Sequence, residues 1–109
     1  AEPMHGALLE TWVLQNVCAI LEAHRPAAAV SYWHEQGRHE VDVVIEEKGK
    51  VWAIEVKGSG RWTDSDLAGL DAFLSRTPRC VAGILAYNGA SAISLGSKLW
   101  AIPIAHLLG

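Results

Sequence analysis

Two short runs of alternating apolar and polar residues, joined by a short polar turn, constrain the fold of this chain more than any other feature. Residues 39–46 and residues 51–57 each place branched or aromatic apolar side chains at every second position, interrupted at Val44. Alternation of this kind is typical of half-buried β-strands. The connection Glu47-Lys48-Gly49-Lys50 contains the glycine that tight hairpin turns favour. The sequence therefore predicts an antiparallel hairpin.

The register of this hairpin decides which polar side chains meet. A turn centred on Lys48-Gly49 sets Asp42 directly opposite Glu55, and opposed residues have Cβ atoms roughly 5 Å apart. Lys57 follows Glu55 by two positions, and therefore points to the same side of the strand. A slip of one residue would send Asp42 to the other face. The predicted register thus places two carboxylates and one ammonium together.

This combination of groups predicts metal-dependent phosphoryl chemistry. Two adjacent carboxylates raise the pKa of one of them unless a cation neutralises the pair. A hard ion such as Mg²⁺ binds through one or two carboxylates at roughly 2.1 Å and keeps waters in its shell. Lys57 would orient the attacking water or stabilise charge on the phosphoryl oxygens. The alternative is that Glu55 and Lys57 belong to an ordinary solvated strand face.

Two helices are expected to cover the sheet. An apolar stripe predicts a first helix from about Met4 to Ala23, with its buried side formed by Leu8, Leu9, Trp12, Val13, Val17, Ile20 and Leu21. Glu10 lies beside this stripe, where it either reaches solvent or supplies a third carboxylate. A second helix is predicted to begin with Thr63 as N-cap and Asp66 as the acid of a capping box. Its buried side would be Leu67, Leu70, Phe73 and Leu74.

The remaining strands complete an α/β prediction. Extended segments are expected at residues 28–34, 80–86 and 91–95, and residues 102–104 end the extended structure before a short tail. The predicted order is α-β-β-β-α-β-β, with a mixed β-sheet flanked by two main helices in a single domain, residues 1–109. Half of the residues are apolar, which is enough for one continuous core.

Several ordered segments resemble those of one known family. They are Gly6-Ala7-Leu8-Leu9-Glu10, Ser31-Tyr32-Trp33, Gly37-Arg38-His39-Glu40-Val41-Asp42, Ile54-Glu55-Val56-Lys57, Asp66-Leu67-Ala68-Gly69-Leu70 and Leu99-Trp100-Ala101-Ile102-Pro103. In this order they resemble the C-terminal domain of prokaryotic AAA-type ATPases, a domain of unknown function in the PD-(D/E)XK nuclease-like superfamily. The resemblance covers nearly the whole chain. His34 departs from it, because related sequences often have arginine there.

The resemblance implies a restriction-endonuclease-like fold and a set of site residues. Glu10, Asp42, Glu55 and Lys57 match the helix acid, the first strand acid and the E-x-K pair of the superfamily. The resemblance implies the fold, whereas the activity is a hypothesis that these four acid and base positions favour. In this hypothesis Mg²⁺ or Mn²⁺ is held by Asp42, Glu55 and Glu10, and the reaction is hydrolysis of nucleic-acid phosphodiester bonds. The resemblance also implies that residues 1–109 are the C-terminal fragment of a longer chain with an N-terminal ATPase module. The chain itself has no G-x-x-x-x-G-K-S/T phosphate loop.

The charge of the chain favours a second interpretation. A net charge of −3 supplies no broad basic surface for nucleic acid. Arg61 and Trp62 could contact a phosphate and stack on a base, or could form a loop that closes over the core. The chain has five tryptophans, and Trp52, predicted on the face opposite the acids, suits a covered sheet or an aromatic-rich interface. A non-catalytic module for homodimerisation or for docking on an ATPase therefore remains open.

The other expectations concern location, thiols and histidines. No run approaches the roughly 20 apolar residues of a membrane span and no signal segment opens the chain, so a cytoplasmic protein without membrane contact is expected. Cys18 and Cys80 lack metal-binding spacing and are expected to be buried thiols. His39 could join a transition-metal site with Asp42 but is predicted to face away from it. The histidines expected to be surface or capping residues are His5, His24 and His106.

Overall fold

The computed structural model describes the backbone of residues 2–109 and the side chains of residues 7–109. The elements in this part of the chain are α1 (Glu2–His24), β1 (Ala29–Glu35), β2 (His39–Glu47), β3 (Lys50–Lys57), α2 (Asp64–Arg76), β4 (Cys80–Tyr87), β5 (Ile93–Ser94), β6 (Leu99–Pro103) and α3 (Ile104–Leu108). The predicted α/β class and the predicted order of elements are confirmed, and β6 and α3 extend that order.

The six strands form one mixed sheet in the order β1-β2-β3-β4-β6-β5. Strands β1, β2 and β3 are antiparallel neighbours, whereas β3, β4 and β6 run parallel. Parallel neighbours need a crossover connection, which is usually a helix. Helix α2 is the crossover between β3 and β4, and it follows the predicted E-x-K pair after a short loop, residues 58–63.

The hairpin of β2 and β3 has the predicted register. Val43 faces Ile54, and Glu47 faces Lys50. The two turn residues, Lys48 and Gly49, have φ angles of 54° and 79°. Positive φ at both central positions is what a two-residue type I′ hairpin turn requires. The regular ladder ends at the Val43 and Ile54 pair, so the next positions along are Asp42 and Glu55.

Strand β2 contains a bulge at Asp42. On its other side, Val44 faces Ser31 of β1 while Val41 faces Trp33. Two residues of β2 therefore lie opposite one residue of β1, which is the definition of a β-bulge. The bulge turns Val41 to the same face as Val44 and away from Val43, so the prediction that Val41 and Val43 share one face is wrong. Bulges are frequent next to functional sites because they redirect a side chain.

Each face of the sheet carries its own hydrophobic core. The core under α2 consists of Val41, Val44, Val51, Ala53, Leu67, Leu70, Phe73, Cys80, Leu85 and Leu99. The core under α1 and α3 consists of Val13, Val17, Val43, Ile54, Val56, Ala86 and Ile104. The buried face predicted for α2 is confirmed for Leu67, Leu70 and Phe73, and Leu74 is partly buried against the same core.

Helix α1 buries a narrower stripe than predicted. Val13 and Val17 are buried, with Leu9 and Leu21 packed against the same core. These residues are four apart, so they form a single row along the helix. The other residues assigned to the stripe project to solvent, with exposed fractions of 65% for Leu8, 53% for Trp12 and 40% for Ile20. Leu14, beside this row, also packs against the core, so the contact of α1 with one face of the sheet uses the row and this one neighbour.

The chain after β4 differs most from its prediction. Strand β5 is only two residues long, and β6 rather than β5 pairs with β4. Ile104, predicted to end the extended structure, and residues 105–108, predicted as a tail, form α3 against the core under α1. Apolar runs this short do not distinguish a buried strand from a helix by periodicity. The topology of this region therefore depends on packing.

The structure also tests the predictions made for the cysteines and the histidines. Cys80 is buried as predicted, whereas Cys18 is exposed, so its predicted burial was wrong, and both are free thiols. His24 and His106 are exposed as predicted. The side chain of His5 lies outside the described residues. Among the helices described, none is long and apolar enough to cross a membrane.

Candidate functional site

The predicted site residues converge where β2 and β3 stop pairing. Asp42 lies in the bulge of β2, Glu55 and Lys57 lie at the end of β3, and Glu10 lies on α1. Each of the three acids accepts a hydrogen bond from the backbone of this region. Both α1 and the bulge of β2 therefore contact the end of β3.

At the next position of the hairpin, hydrogen bonds to the side chains of Asp42 and Glu55 replace the bonds between backbone groups. The Asp42 N–H donates to Oε1 of Glu55 at 2.9 Å, and the Val56 N–H donates to Oδ2 of Asp42 at 2.8 Å. Each carboxylate thus bridges to the opposite strand through one oxygen. These reciprocal bonds hold the two acids as a pair. The second oxygen of each carboxylate takes no part in these two bonds.

Burial, followed by the negative charge of Asp42, raises the pKa of Glu55 to about 8. Glu40 adds a further negative charge that acts in the same direction. A raised carboxyl pKa means that the neighbourhood disfavours a second negative charge. A divalent cation would remove this cost, because it would attract both carboxylates.

Glu10 ties α1 to the chain that follows β3. Its Oε2 accepts the Gly58 N–H at 2.8 Å, and Gly58 comes directly after Lys57. The sequence left open whether Glu10 reaches solvent or joins the acids. The structure shows it half-buried and bonded to the backbone beside Lys57. Its role as a metal ligand stays a prediction.

The Lys57 ammonium points to the start of α2. Its Nζ lies 3.2 Å from Oδ1 of Asp66. Although burial opposes it, hydrogen bonds from Thr63 and Lys57 lower the pKa of Asp66 below its usual value. The sequence predicted Thr63 and Asp66 as a capping box, and this is confirmed. It did not predict the ion pair, because no spacing rule connects the end of a strand to the third residue of the next helix.

Two further residues near the acids carried no predicted functional role. The Tyr32 hydroxyl donates to Oε2 of Glu40 at 3.4 Å. Glu40 lies two residues before Asp42, and its charge acts on Glu55. Glu40 and Asp42 both occupy polar positions of the alternating run 39–46, which predicts that they share one face, and this was the available signal. Glu40 is exposed, so it adds negative charge at the rim of the site.

The donor set suits a hard divalent ion. Within residues 7–109, no group of three or more His, Cys, Asp or Glu side chains is arranged to hold a metal ion. Mg²⁺ commonly uses one or two carboxylates and retains several waters. The pair of Asp42 and Glu55 supplies such oxygen ligands. A bound cation would offset the cost of a second negative charge on this pair.

The loop after β3 closes over the core. The Trp62 ring meets the Tyr87 ring edge to face at 4.9 Å and is partly buried against the core under α2. Arg61 is exposed, and its N–H donates to the Ser59 hydroxyl at 3.2 Å. The Trp62 contacts agree with the packing alternative. Binding of nucleic acid by Arg61 and Trp62 stays a prediction.

The fold and the site together define an α/β domain with an acidic pair on a central hairpin and a lysine beside it. Residues 5–107 match the family described as Domain of unknown function (DUF4143), and the chain belongs to that family. No curated relative matches the chain.

Proposed function

We propose that this domain is a metal-dependent phosphodiesterase of the PD-(D/E)XK nuclease-like superfamily that acts on nucleic acid with Mg²⁺ or Mn²⁺. The observation that carries the proposal is the Asp42 and Glu55 pair, held by reciprocal hydrogen bonds at a bulge, with Lys57 two residues beyond. The order α1-β1-β2-β3-α2-β4, with β3 parallel to β4, supports a restriction-endonuclease-like core.

The residues of the site have distinct proposed roles. Asp42 and Glu55 would hold the ion, which would act as a Lewis acid towards a phosphoryl oxygen or a water. The Lys57 ammonium would stabilise the negative charge that develops on the phosphoryl oxygens. Glu10 fixes the backbone directly after Lys57 and offers its remaining oxygen as an auxiliary ligand.

The charge of the domain supports a requirement for the cation in substrate binding. The chain carries a net charge of −3, and Glu40 adds an exposed carboxylate at the rim of the site. A phosphodiester would be repelled by these acids, because like charges oppose binding. We therefore propose that nucleic acid binds to the site only together with the metal.

Calorimetric titration with Mg²⁺ and Mn²⁺, run beside cleavage of single- and double-stranded DNA and RNA, tests this function. We expect the unchanged chain to bind metal and cut at least one substrate, and Asp42→Ala to do neither. Asp42→Asn keeps an oxygen that can accept the Val56 N–H. If this variant also loses metal binding and cleavage, the loss is due to the missing charge and not to damage to the fold. Asp71→Ala, at an exposed acid of α2, is the matched control. An unchanged chain that binds no metal at about millimolar concentration would overturn the proposal.

The exposed apolar side of α1 favours a second candidate function. Leu8 and Trp12 are each more than half exposed, whereas Trp52 on the sheet is half-buried. Contiguous exposed apolar residues often mark an interaction site. In this function the domain would use α1 to dimerise or to dock on an AAA-type ATPase module of a longer chain. Sedimentation analysis should then show a dimer that Trp12→Glu dissociates, without metal binding in either form.

A further inference from the structure

Lys57 makes its ion pair with α2 although it shares β3 with an acid of the candidate site. Residues two apart on a strand point to the same side, so Lys57 and Glu55 share the face that α2 covers. A lysine ammonium sits on a flexible stem and adopts many positions. In the described part of the chain, the carboxylate within salt-bridge distance of Nζ is that of Asp66. The ammonium is thus paired outside the Asp42 and Glu55 pair.

Asp66 is itself fixed by the beginning of its helix. Its Oδ2 accepts the Thr63 N–H at 2.8 Å and the Thr63 hydroxyl at 3.3 Å. This is the bond by which a capping box satisfies a backbone donor at a helix N-terminus. The other oxygen, Oδ1, faces Lys57. One carboxylate therefore connects the rigid start of α2 to the ammonium.

We propose that Asp66 is a positioning residue of the candidate site, which anchors the Lys57 ammonium at α2 and keeps it off the Asp42 and Glu55 pair. Without this anchor, the acidic pair offers Lys57 the most favourable partner nearby. An ammonium seated on that pair would compete with the divalent cation for the same oxygens. The proposal rests on the proposed function, because keeping Lys57 away from the acidic pair matters only if that pair binds a cation.

The exposure of the two side chains fits this role. Lys57 is 34% exposed and Asp66 is 24% exposed. An ion pair at the surface contributes little to stability, so stabilising the fold is a weak reason for this contact. Partial exposure leaves the ammonium accessible to a phosphate oxygen while its stem is held.

Crystal structures of two variants test where Lys57 goes. Asp66→Asn removes the charge but keeps an oxygen that can accept the Thr63 N–H, so the helix cap survives. Asp64→Asn removes the same charge from an exposed residue of the same helix turn, and it is the matched control. We expect Nζ of Lys57 within hydrogen-bond distance of Asp42 or Glu55 in the first variant, and still beside Asp66 in the second. Lys57 left in place or turned to solvent in Asp66→Asn would overturn the proposal. Asp66→Ser provides the same test if the amide variant does not fold.

Metal affinity provides a second test that a purely structural role would not satisfy. We expect Asp66→Asn to weaken Mn²⁺ binding about tenfold, as coupling between charges in contact allows. Adding Lys57→Met should return the affinity to within about twofold of the original, because the competing ammonium is gone. Damage to the fold would not be repaired by a second substitution. Asp64→Asn should bind Mn²⁺ as the unchanged chain does.

The two tests separate this proposal from the proposed function. An unchanged chain without metal binding would end the nuclease proposal, and the position of Lys57 in the two crystal structures would still decide the role of Asp66. Conversely, equal Mn²⁺ affinity in the unchanged chain and in Asp66→Asn, with Lys57 unmoved, would end the Asp66 proposal alone.

Discussion

Asp42 and Glu55 are structural residues as well as candidate ligands. Each accepts a backbone N–H from the opposite strand, so each stands in for a hydrogen bond that a regular ladder would make between backbone groups. Leaving a partly buried N–H without its partner costs about 1–3 kcal/mol. A substitution that keeps a hydrogen-bond acceptor is therefore more informative about chemistry than a truncation to alanine.

Glu55 should give the domain an unusual dependence of stability on pH. The pKa of Glu55 is about 8 in the folded chain, against an ordinary value of 4.5. Between these values the folded state holds a proton that the unfolded state has released, so the free energy of unfolding falls as the pH rises. The contribution is fully present below about pH 4.5 and is lost as the pH rises through about 8. Solvent screening reduces it, and we expect a loss of about 2 kcal/mol.

Urea unfolding at about pH 5 and about pH 9, in the absence of divalent metal, measures this difference. Glu55→Gln should remove most of the dependence, because the amide does not ionise. Glu22→Gln, at an exposed acid of α1, is the control and should retain it. Equal pH dependence in Glu55→Gln and the unchanged chain would refute this assignment.

Helix α2 approaches β2 unusually closely at Gly69. A Cβ atom built on Gly69 would collide with the carbonyl oxygen of Glu40. The contact lies two residues before Asp42, so the packing of α2 and the position of the β2 bulge are coupled. Glycine is required here for close approach rather than for a special backbone angle.

Gly69→Ala should therefore destabilise the domain by about 1–3 kcal/mol, the usual cost of forcing extra atoms into a packed contact. It should also weaken metal binding, because the bulge must move with Glu40. Gly96→Ala is the matched control, since its Cβ would lie 3.8 Å from the nearest side-chain atom, that of Leu99. Chemical denaturation of the two variants measures the difference, and equal stability would contradict the coupling.

The two sides of α1 should respond very differently to truncation. Val13→Ala removes two methyl groups from a fully buried position, and we expect it to cost about 2 kcal/mol. Leu8→Ala changes a side chain that is 65% exposed, and we expect a change within about 0.5 kcal/mol. Urea denaturation at low protein concentration measures both. A large cost at Leu8 would show that its surface is covered, as in the dimerisation alternative.

The candidate site is formed by residues from several elements of the fold. The hairpin brings Asp42, Glu55 and Lys57, α1 brings Glu10, and α2 brings Asp66. The hydrophobic cores on the two faces hold these elements, with α2 over one face and α1 over the other. Substitutions in either core should therefore alter the geometry of the site as well as the stability of the domain.

Local patterns in the sequence were sufficient for the hairpin and for the beginning of α2. Alternating residues, a turn that accepts positive φ at Lys48 and Gly49, and a Thr63 N-cap act over a few neighbouring positions, so they can be interpreted without the fold. The pairing of Asp42 with Glu55 followed from them because register propagates from the turn. These features cover the centre of the sheet and the core of the candidate site.

Only the tertiary structure decided the bulge at Asp42, the row of α1 that is buried, the place of β6 beside β4, and the pairing of Lys57 with Asp66. Each depends on contacts between residues far apart in the chain. Apolar residues cover more of α1 than the sheet can bury, and the flexible stem of a lysine allows several positions of its ammonium. Packing selects one outcome in each case, and no pattern of neighbouring residues contains that choice.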